Sequence, residues 1–171
     1  MQQMTSRKDI ETSLQMLLRP DDFKDYGPNG LQVQGGAEVR HIATGVTASL
    51  AFIDQAIAAG ADTLLVHHGL FWRGQDGRLT GWLGERVRRL MTAGVNLFAY
   101  HLPLDAHAEF GNNAQLGRRL GLVADGRFGE QALGFIGPAD TSLAALVTTA
   151  HTQLERAPVV VPGDGRPLRR V

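Results

Sequence analysis

Cysteine is absent from the 171-residue chain. That absence excludes disulfides, thiolate zinc sites, iron–sulfur clusters and cysteine nucleophiles. An excess of one charge is absent as well, because 17 Lys and Arg residues balance 17 Asp and Glu residues. A balanced charge gives no electrostatic reason to expect nucleic acid or an anionic membrane as a partner. Any bound metal must be held by histidine and carboxylate side chains, which suits Zn, Fe, Mn, Ni or Co.

Long apolar runs are also missing. No segment approaches the roughly 20 apolar residues that a membrane-spanning helix needs. The first eight residues lack the apolar core of a signal peptide. We therefore expect a cytoplasmic protein without a membrane partner.

The spacing of apolar residues predicts the fold class. A first helix is predicted from apolar residues at helical spacing that begin with Ile10. Ser6 and Asp9 resemble a capping box at its start, and Pro20 ends it. Residues 39–121 then alternate between strand and helix three times. This alternation predicts an α/β fold in which a mostly parallel sheet is flanked by helices. The three strands are predicted at residues 39–46, 62–66 and 95–100.

The last part of the chain has a different pattern, which predicts a second, smaller α/β portion. Its predicted elements are a strand at residues 132–136, a helix that begins near Thr141, and strands at residues 159–161 and from Leu168. The sequence stops within the last of these strands, so the portion is interpreted as incomplete. We predict an α/β domain over residues 1–123 and the start of a second portion over residues 124–171.

Histidines and an aspartate follow two neighbouring strands of the predicted sheet. His67 and His68 follow one strand, and His101 and Asp105 follow the next. Ligands of such sheets bind beyond the carboxyl ends of the strands, so these side chains are expected to meet there. Neutral imidazole and carboxylate are natural ligands of divalent metals. Adjacent side chains of an extended chain point to opposite sides, so the histidine pair would serve one ion only if the backbone turns, or else two neighbouring ions.

A structural alternative stays open for the same residues. His67 and His68 would then be a partly buried pair satisfied by backbone groups, and Asp105 would be a helix cap. Pro103 disfavours a helix that joins His101 to Asp105, so a loop is expected to set their relative position.

Other residues near these motifs receive structural interpretations. His41 is placed inside a strand and His151 on a helix, and both are interpreted as structural or exposed. His107 is interpreted as a surface residue near the site, and Trp72 as packing under a loop. Residues 25–35 contain turn dipeptides, so composition favours a plain turn that leads into a short strand.

Four motifs resemble the dinuclear-metal-centre family, whose bacterial members are called YbgI-like or GTP cyclohydrolase type 2 homologues. The motifs are residues 25–33, 45–49, 66–72, and 101–107 together with 111–116. They occur in the family's order and cover residues 20–122 tightly. The resemblance implies an α/β fold and a ring-shaped homo-oligomer, a hexamer, with metal sites that face an interior cavity.

The resemblance also implies ligands and chemistry. His67 and His68 would each bind one of two divalent metal ions, and Asp105 would be a further ligand. His101 would lie beside them, as an orienting group, an occasional ligand or a proton relay. The chemistry would be metal-dependent hydrolysis of a small molecule. Zn, Fe, Mn and Ni fit such a site equally well.

The chain departs from the family pattern near its end. The family has a further His and a bridging Glu there, and this sequence has neither before Val171. We therefore expect a C-terminally truncated protein that holds about three of the ligands and exposes apolar surface. The alternative function is a non-catalytic metal-binding or ring-forming scaffold protein. DNA binding inside a ring is disfavoured by the balanced charge.

Overall fold

A computed structural model describes residues 5–171. Residues 1–4, part of the segment that lacks a signal-peptide core, lie outside the described residues. The chain forms two compact units, Met1–Leu104 and Asp105–Val171. This division falls earlier than the predicted domain boundary after residue 123, which stays a prediction. No helix within residues 5–171 has both the length and the apolar character needed to cross a membrane.

The first unit is built around one mixed sheet. Its elements are β1 (Thr5–Ser6), α1 (Arg7–Leu18), β2 (Gly30–Val33), β3 (Glu38–Val39), β4 (Ile42–Thr47), α2 (Leu50–Ala58), β5 (Thr63–His68), α3 (Gly81–Ala93) and β6 (Asn96–Ala99). Four strands form the sheet in the order β2-β6-β5-β4. β4, β5 and β6 are parallel, whereas β2 pairs antiparallel with β6. The predicted α/β fold with a mostly parallel sheet is confirmed.

Different helices cover the two faces of this sheet. Leu97 and Ala99 of β6 belong to a core that includes buried residues of α2 and α3. Phe98 and Tyr100, which alternate with them, pack with Leu18 of α1. This separation follows from the period of two with which side chains leave a strand. The sheet is therefore covered on both sides, and the carboxyl ends of β5 and β6 lie next to each other.

The first helix begins and ends where the sequence predicts. Ser6 Oγ accepts from the Asp9 amide at 3.1 Å, and the Asp9 carboxylate accepts from the Ser6 amide at 3.3 Å. This reciprocal pair is a capping box. Arg19 ends the helix in the left-handed conformation, and Pro20 begins a short 3₁₀ turn. The predicted cap and the predicted end at Pro20 are confirmed.

Two strand boundaries differ from the prediction. β5 includes both histidines that were expected to follow it, because the parallel ladder continues until His68 faces Thr47. The strand predicted at residues 39–46 is two strands, and His41 lies between them rather than inside one. The Asp62 carboxylate accepts from the amides of Arg40 and His41, which draws this segment out of the ladder.

The second unit is smaller and consists of helices and antiparallel strand pairs. A short helix, α4 (Leu102–Ala106), crosses the division between the units, and it is followed by α5 (Asn112–Arg119), β7 (Gly126–Phe128), β8 (Gly134–Ile136), β9 (Pro138–Thr141), α6 (Leu143–Leu154) and β10 (Leu168–Arg170). β7 pairs with β8, and β9 pairs with β10. The predicted helix near Thr141 and the predicted strand from Leu168 are confirmed. The strand predicted at residues 159–161 is wrong, because this segment is exposed and has no secondary structure.

Burial is weak in the second unit. Neither α5 nor α6 has a buried residue. Leu116, Val123 and Phe128 are exposed and line an apolar groove of about 910 Å³. Within residues 5–171, both clusters of buried apolar side chains belong to the first unit. Apolar surface is thus exposed in this part of the chain.

Candidate metal centre

Three imidazole rings converge at the carboxyl ends of β5 and β6. His67 and His68 are the last two residues of β5, and His101 follows β6 by two residues. The ring centroid of His67 lies 4.4 Å from that of His68 and 4.9 Å from that of His101, and the remaining pair is 5.6 Å apart. One potential ligand atom of each side chain lies within 4.8 Å of the others. The prediction that these histidines meet at one edge of the sheet is confirmed.

Two of the rings are oriented by partners that only accept hydrogen bonds. His67 Nδ1 lies 3.2 Å from the carbonyl oxygen of Tyr100. His101 Nδ1 lies 2.7 Å from the carboxylate of Asp25. Carbonyl and carboxylate oxygens have no proton to give, so the Nδ1 atoms of both rings must carry the proton and donate it. In the neutral ring, Nε2 then keeps the lone pair that a metal requires.

The partner of His101 comes from the loop between α1 and β2, which composition favours as a plain turn. The Asp25 side chain is only 3% exposed. Besides His101, it accepts from Asn29 Nδ2 at 2.9 Å and from the amides of Leu102 at 2.9 Å and Tyr26 at 2.6 Å. Burial opposes ionisation of Asp25, but these four hydrogen bonds outweigh it and hold its pKa below the ordinary value. Asp25 is therefore an ionised acceptor at neutral pH.

Two glycines let this loop and β2 approach the segment that follows β5. A Cβ on Gly27 would lie 2.4 Å from the carbonyl oxygen of Phe71. A Cβ on Gly69 would lie 2.2 Å from Gln32 Oε1, which accepts from the Leu70 amide at 2.8 Å. At Gly27 the neighbour is backbone, so a side chain there would displace the loop that carries Asp25. At Gly69 a side chain would instead displace the Gln32 side chain from its hydrogen bond with Leu70.

Aromatic rings stand beside His101. Trp72 meets it edge to face at 5.1 Å between centroids, and Tyr26 lies at 6.3 Å. Trp72 was predicted to pack under a loop, and it is half-buried against an imidazole of the cluster. The exposed fraction of the His101 side chain is 20%. The ring is therefore partly shielded from water, which strengthens its bond to the Asp25 carboxylate.

The remaining histidines have other environments. His41 and His151 are exposed, in agreement with their interpretation. His107 Nδ1 accepts from the Phe110 amide at 3.0 Å, and the two rings stack at 5.3 Å. These contacts are local to residues 107–110, so they account for His107 without a ligand.

Comparison with known proteins places the chain in a family. The model of the Duf34/NIF3 (NGG1p interacting factor 3) family matches residues 5–171. The chain belongs to this family. A GTP cyclohydrolase 1 type 2 homolog of Neisseria meningitidis serogroup A is 48% identical over 171 residues, which cover 98% of this chain and 68% of that protein. A protein of the same description from Vibrio cholerae is 54% identical over 117 residues, which cover 68% of this chain and 46% of its own length.

Solved structures of the same fold agree with this assignment. A structural-genomics protein named ybgI has a TM-score of 0.92 and 37% identity, over 97% of this chain and 68% of that chain. A protein of Thermus thermophilus has a TM-score of 0.86 and 36% identity, over 98% and 67% of the two chains. The predicted resemblance to YbgI-like proteins is confirmed. Family membership together with the histidine cluster supports a metal-binding protein.

In this Duf34/NIF3 chain, Asp105 belongs to the second unit. Its carboxylate accepts from Asn112 Nδ2 at 3.0 Å. Its part as a metal ligand stays a prediction. The expectation that a loop sets the position of Asp105 relative to His101 is wrong, because α4 begins at the residue after His101 and holds Pro103 at its second position. A proline is tolerated there, since the first amides of a helix have no partner within it. His101 precedes this helix.

His68, the third ring of the cluster, has a weaker hydrogen-bond partner than the other two rings, and this difference can be tested. His68 Nδ1 lies 3.0 Å from Thr47 Oγ1, an exposed hydroxyl that either donates or accepts. We expect Thr47→Val to weaken zinc binding by less than ~10-fold, the lower end of what a lost histidine partner costs, because water replaces an exposed hydroxyl. Competition with a coloured chelator measures the affinity. Thr44→Val, an exposed change in the same strand, is the control. A loss of zinc affinity of more than ~10-fold for Thr47→Val would contradict the expectation.

Proposed function

We propose that this family member binds divalent metal through His67, His68 and His101, and that the metal serves hydrolysis of a small molecule. The convergence of three imidazoles carries the proposal. The donors fit such an ion, because the site offers imidazole nitrogens and the chain has no cysteine, a set that suits Zn, Fe, Mn or Ni. We propose Asp105 as a further ligand. Its two oxygens would allow it to bridge a pair of ions.

The chain's own residues prepare this site. When bound, divalent ions act as Lewis acids and lower the pKa of a water that they ligate. The Tyr100 carbonyl and the Asp25 carboxylate hold protons on Nδ1 of two rings, so Nε2 of each ring is set to face a cation. Trp72 limits access of water to His101 on one side. Because these rings are already oriented, they would not have to reorganise when charge develops in the transition state.

The descriptions of the relatives suggest the substrate to test first. Several are described as GTP cyclohydrolase 1 type 2 homologs. Opening the imidazole ring of GTP is a hydrolysis, and it fits the chemistry that a metal-bound site supplies. We therefore propose a purine nucleotide as the substrate class.

One experiment separates the enzyme from a metal-binding scaffold. Elemental analysis would give the metal content of the chain after exposure to Zn, Mn, Fe(II) or Ni, and chromatography would follow GTP in the same samples. The chain spans about two thirds of the Neisseria relative, so the assay includes that full-length protein in parallel. Metal-dependent loss of GTP that vanishes in His68→Ala supports the proposal. Stoichiometric metal without turnover of GTP or a phosphoester in either protein overturns hydrolysis and leaves the scaffold.

The assembly that the resemblance implies is proposed for this chain as well. We propose a ring of six copies with the metal sites facing its interior. Light scattering on the purified chain would give the number of copies from the 18.5 kDa mass of one. A monomer in solution would overturn the ring for this chain.

A further inference from the structure

We propose that Asp25, with Asn29, is a positioning residue that keeps a proton on Nδ1 of His101 and so presents Nε2 of that ring to a metal ion. The inference rests on the proposed metal binding at His67 and His68. Asp25 lies 76 positions from His101 in the sequence, yet their side chains form the shortest of the three hydrogen bonds that hold the rings, at 2.7 Å. A carboxylate that accepts from a histidine fixes the tautomer and orientation of that ring when the other nitrogen binds a metal.

The loop holds both the side chain and the backbone of His101. Asn29 Oδ1 accepts from the His101 amide at 2.8 Å, while Asn29 Nδ2 donates to the Asp25 carboxylate at 2.9 Å. The next amide, that of Leu102, donates to the same carboxylate at 2.9 Å. Two hydrogen bonds thus hold the backbone where the chain leaves β6, a third joins the two loop side chains, and a fourth holds the ring. This arrangement fixes the ring more firmly than a bond to the side chain alone.

The hydrogen bonds that the Asp25 carboxylate accepts determine which ring nitrogen of His101 carries the proton. Each oxygen of Asp25 accepts two hydrogen bonds, one from His101 or Asn29 and one from a backbone amide. The carboxylate has only donors around it, so His101 must bring its proton to Nδ1. A ring with Nδ1–H fixed in place offers one lone pair, at Nε2. That lone pair is what a cation takes.

A purely structural role for Asp25 makes a different prediction. The carboxylate would then hold the loop to residues 101–102 regardless of the ring, and its loss would lower stability without a specific effect on His101. The tautomer of His101 distinguishes the positioning role from the structural role, because a contribution to stability alone would not determine which ring nitrogen carries the proton.

The first test measures the ring without metal. Nitrogen-15 NMR of the metal-free chain reports which ring nitrogen of each histidine carries the proton, with His101→Ala assigning the signal. We expect the neutral form of His101 to carry its proton on Nδ1 in the wild type, and a mixture of the two tautomers in Asp25→Asn. An Nε2–H form in the wild type, or an unchanged form in Asp25→Asn, overturns the proposal. This measurement stands even if the chain binds no metal, so its failure is distinct from failure of the proposed function.

The second test is a double-mutant cycle on zinc affinity. We expect Asp25→Asn to weaken binding by ~10–100-fold, the cost typical of losing such a partner. His101→Ala weakens binding further, and Asp25→Asn then adds less than about threefold in that background, because it acts through the ring. The exposed Asp21→Asn is the matched control and leaves affinity unchanged. Equal losses from Asp25→Asn in both backgrounds, or no loss in the wild type, overturn the proposal.

Discussion

His67→Ala is expected to weaken zinc binding by more than ~100-fold, beyond the cost of losing a partner of a ligand. His67 is the central ring of the cluster, because its centroid is closer to each neighbour than those neighbours are to each other. Its removal leaves two imidazoles whose ring centroids lie 5.6 Å apart. Chelator competition gives the affinity, and elemental analysis gives the metal content after gel filtration.

His151→Ala is the matched control for this change, because it removes the same side chain from an exposed position on α6. A thermal shift provides a second readout, since a metal at 100 times its dissociation constant stabilises the folded state by about 2.7 kcal/mol. Zinc should raise the melting temperature of the wild type and of His151→Ala but not that of His67→Ala. Equal zinc affinity in wild type and His67→Ala would remove this histidine from the ligand set.

Phe98→Ala is expected to lower the free energy of unfolding by about 3–5 kcal/mol. Phe98 is fully buried in β6, where it packs against α1 on the face opposite to α2 and α3. Truncation leaves a cavity between the sheet and α1, because packed neighbours relax only in part. Urea unfolding of the metal-free chain, followed by circular dichroism, measures the change.

Phe110→Ala is the matched control for this second change. Phe110 is 54% exposed, so the same truncation should cost less than about 1 kcal/mol. A loss below about 1 kcal/mol for Phe98→Ala would mean that α1 is not held by this cluster. The contrast with His67→Ala is informative, because a site residue should alter zinc affinity while leaving metal-free stability nearly unchanged.

Local signals in the sequence were sufficient for much of the first unit. The capping box of Ser6 and Asp9, and the alternation of strand and helix, depend on neighbours within a few residues, and the structure confirms both. His67 and His101 were predicted to meet at the same edge of the sheet, because the carboxyl ends of neighbouring parallel strands lie together and ligands bind beyond them. The antiparallel direction of β2 was not predicted, since a four-residue strand carries no local sign of its direction.

Longer-range signals were missed for a common physical reason. The hydrogen bond from His101 to Asp25 joins residues that are far apart in the sequence. The composition of a turn-rich segment does not indicate that one of its carboxylates is buried. An acidic residue four positions before an asparagine in a tight turn is the only local sign. At residues 159–161 the sequence instead predicted an element that is absent from the structure. Three valines favour a strand, but this exposed segment pairs with no other strand. Propensity is local, whereas pairing depends on what the rest of the fold supplies.

The three rings of the cluster are each tied to a different part of the first unit. One is held by the backbone at Tyr100, one by Thr47 at the end of β4, and one by Asp25 in the loop before β2. A substitution at Thr47 or Asp25 therefore removes the anchor of one ring and leaves the anchors of the other two in place. In evolutionary terms, such a site is tunable. Its affinity for a metal can drift in small steps through one anchor at a time, without passing through a variant that has lost the site.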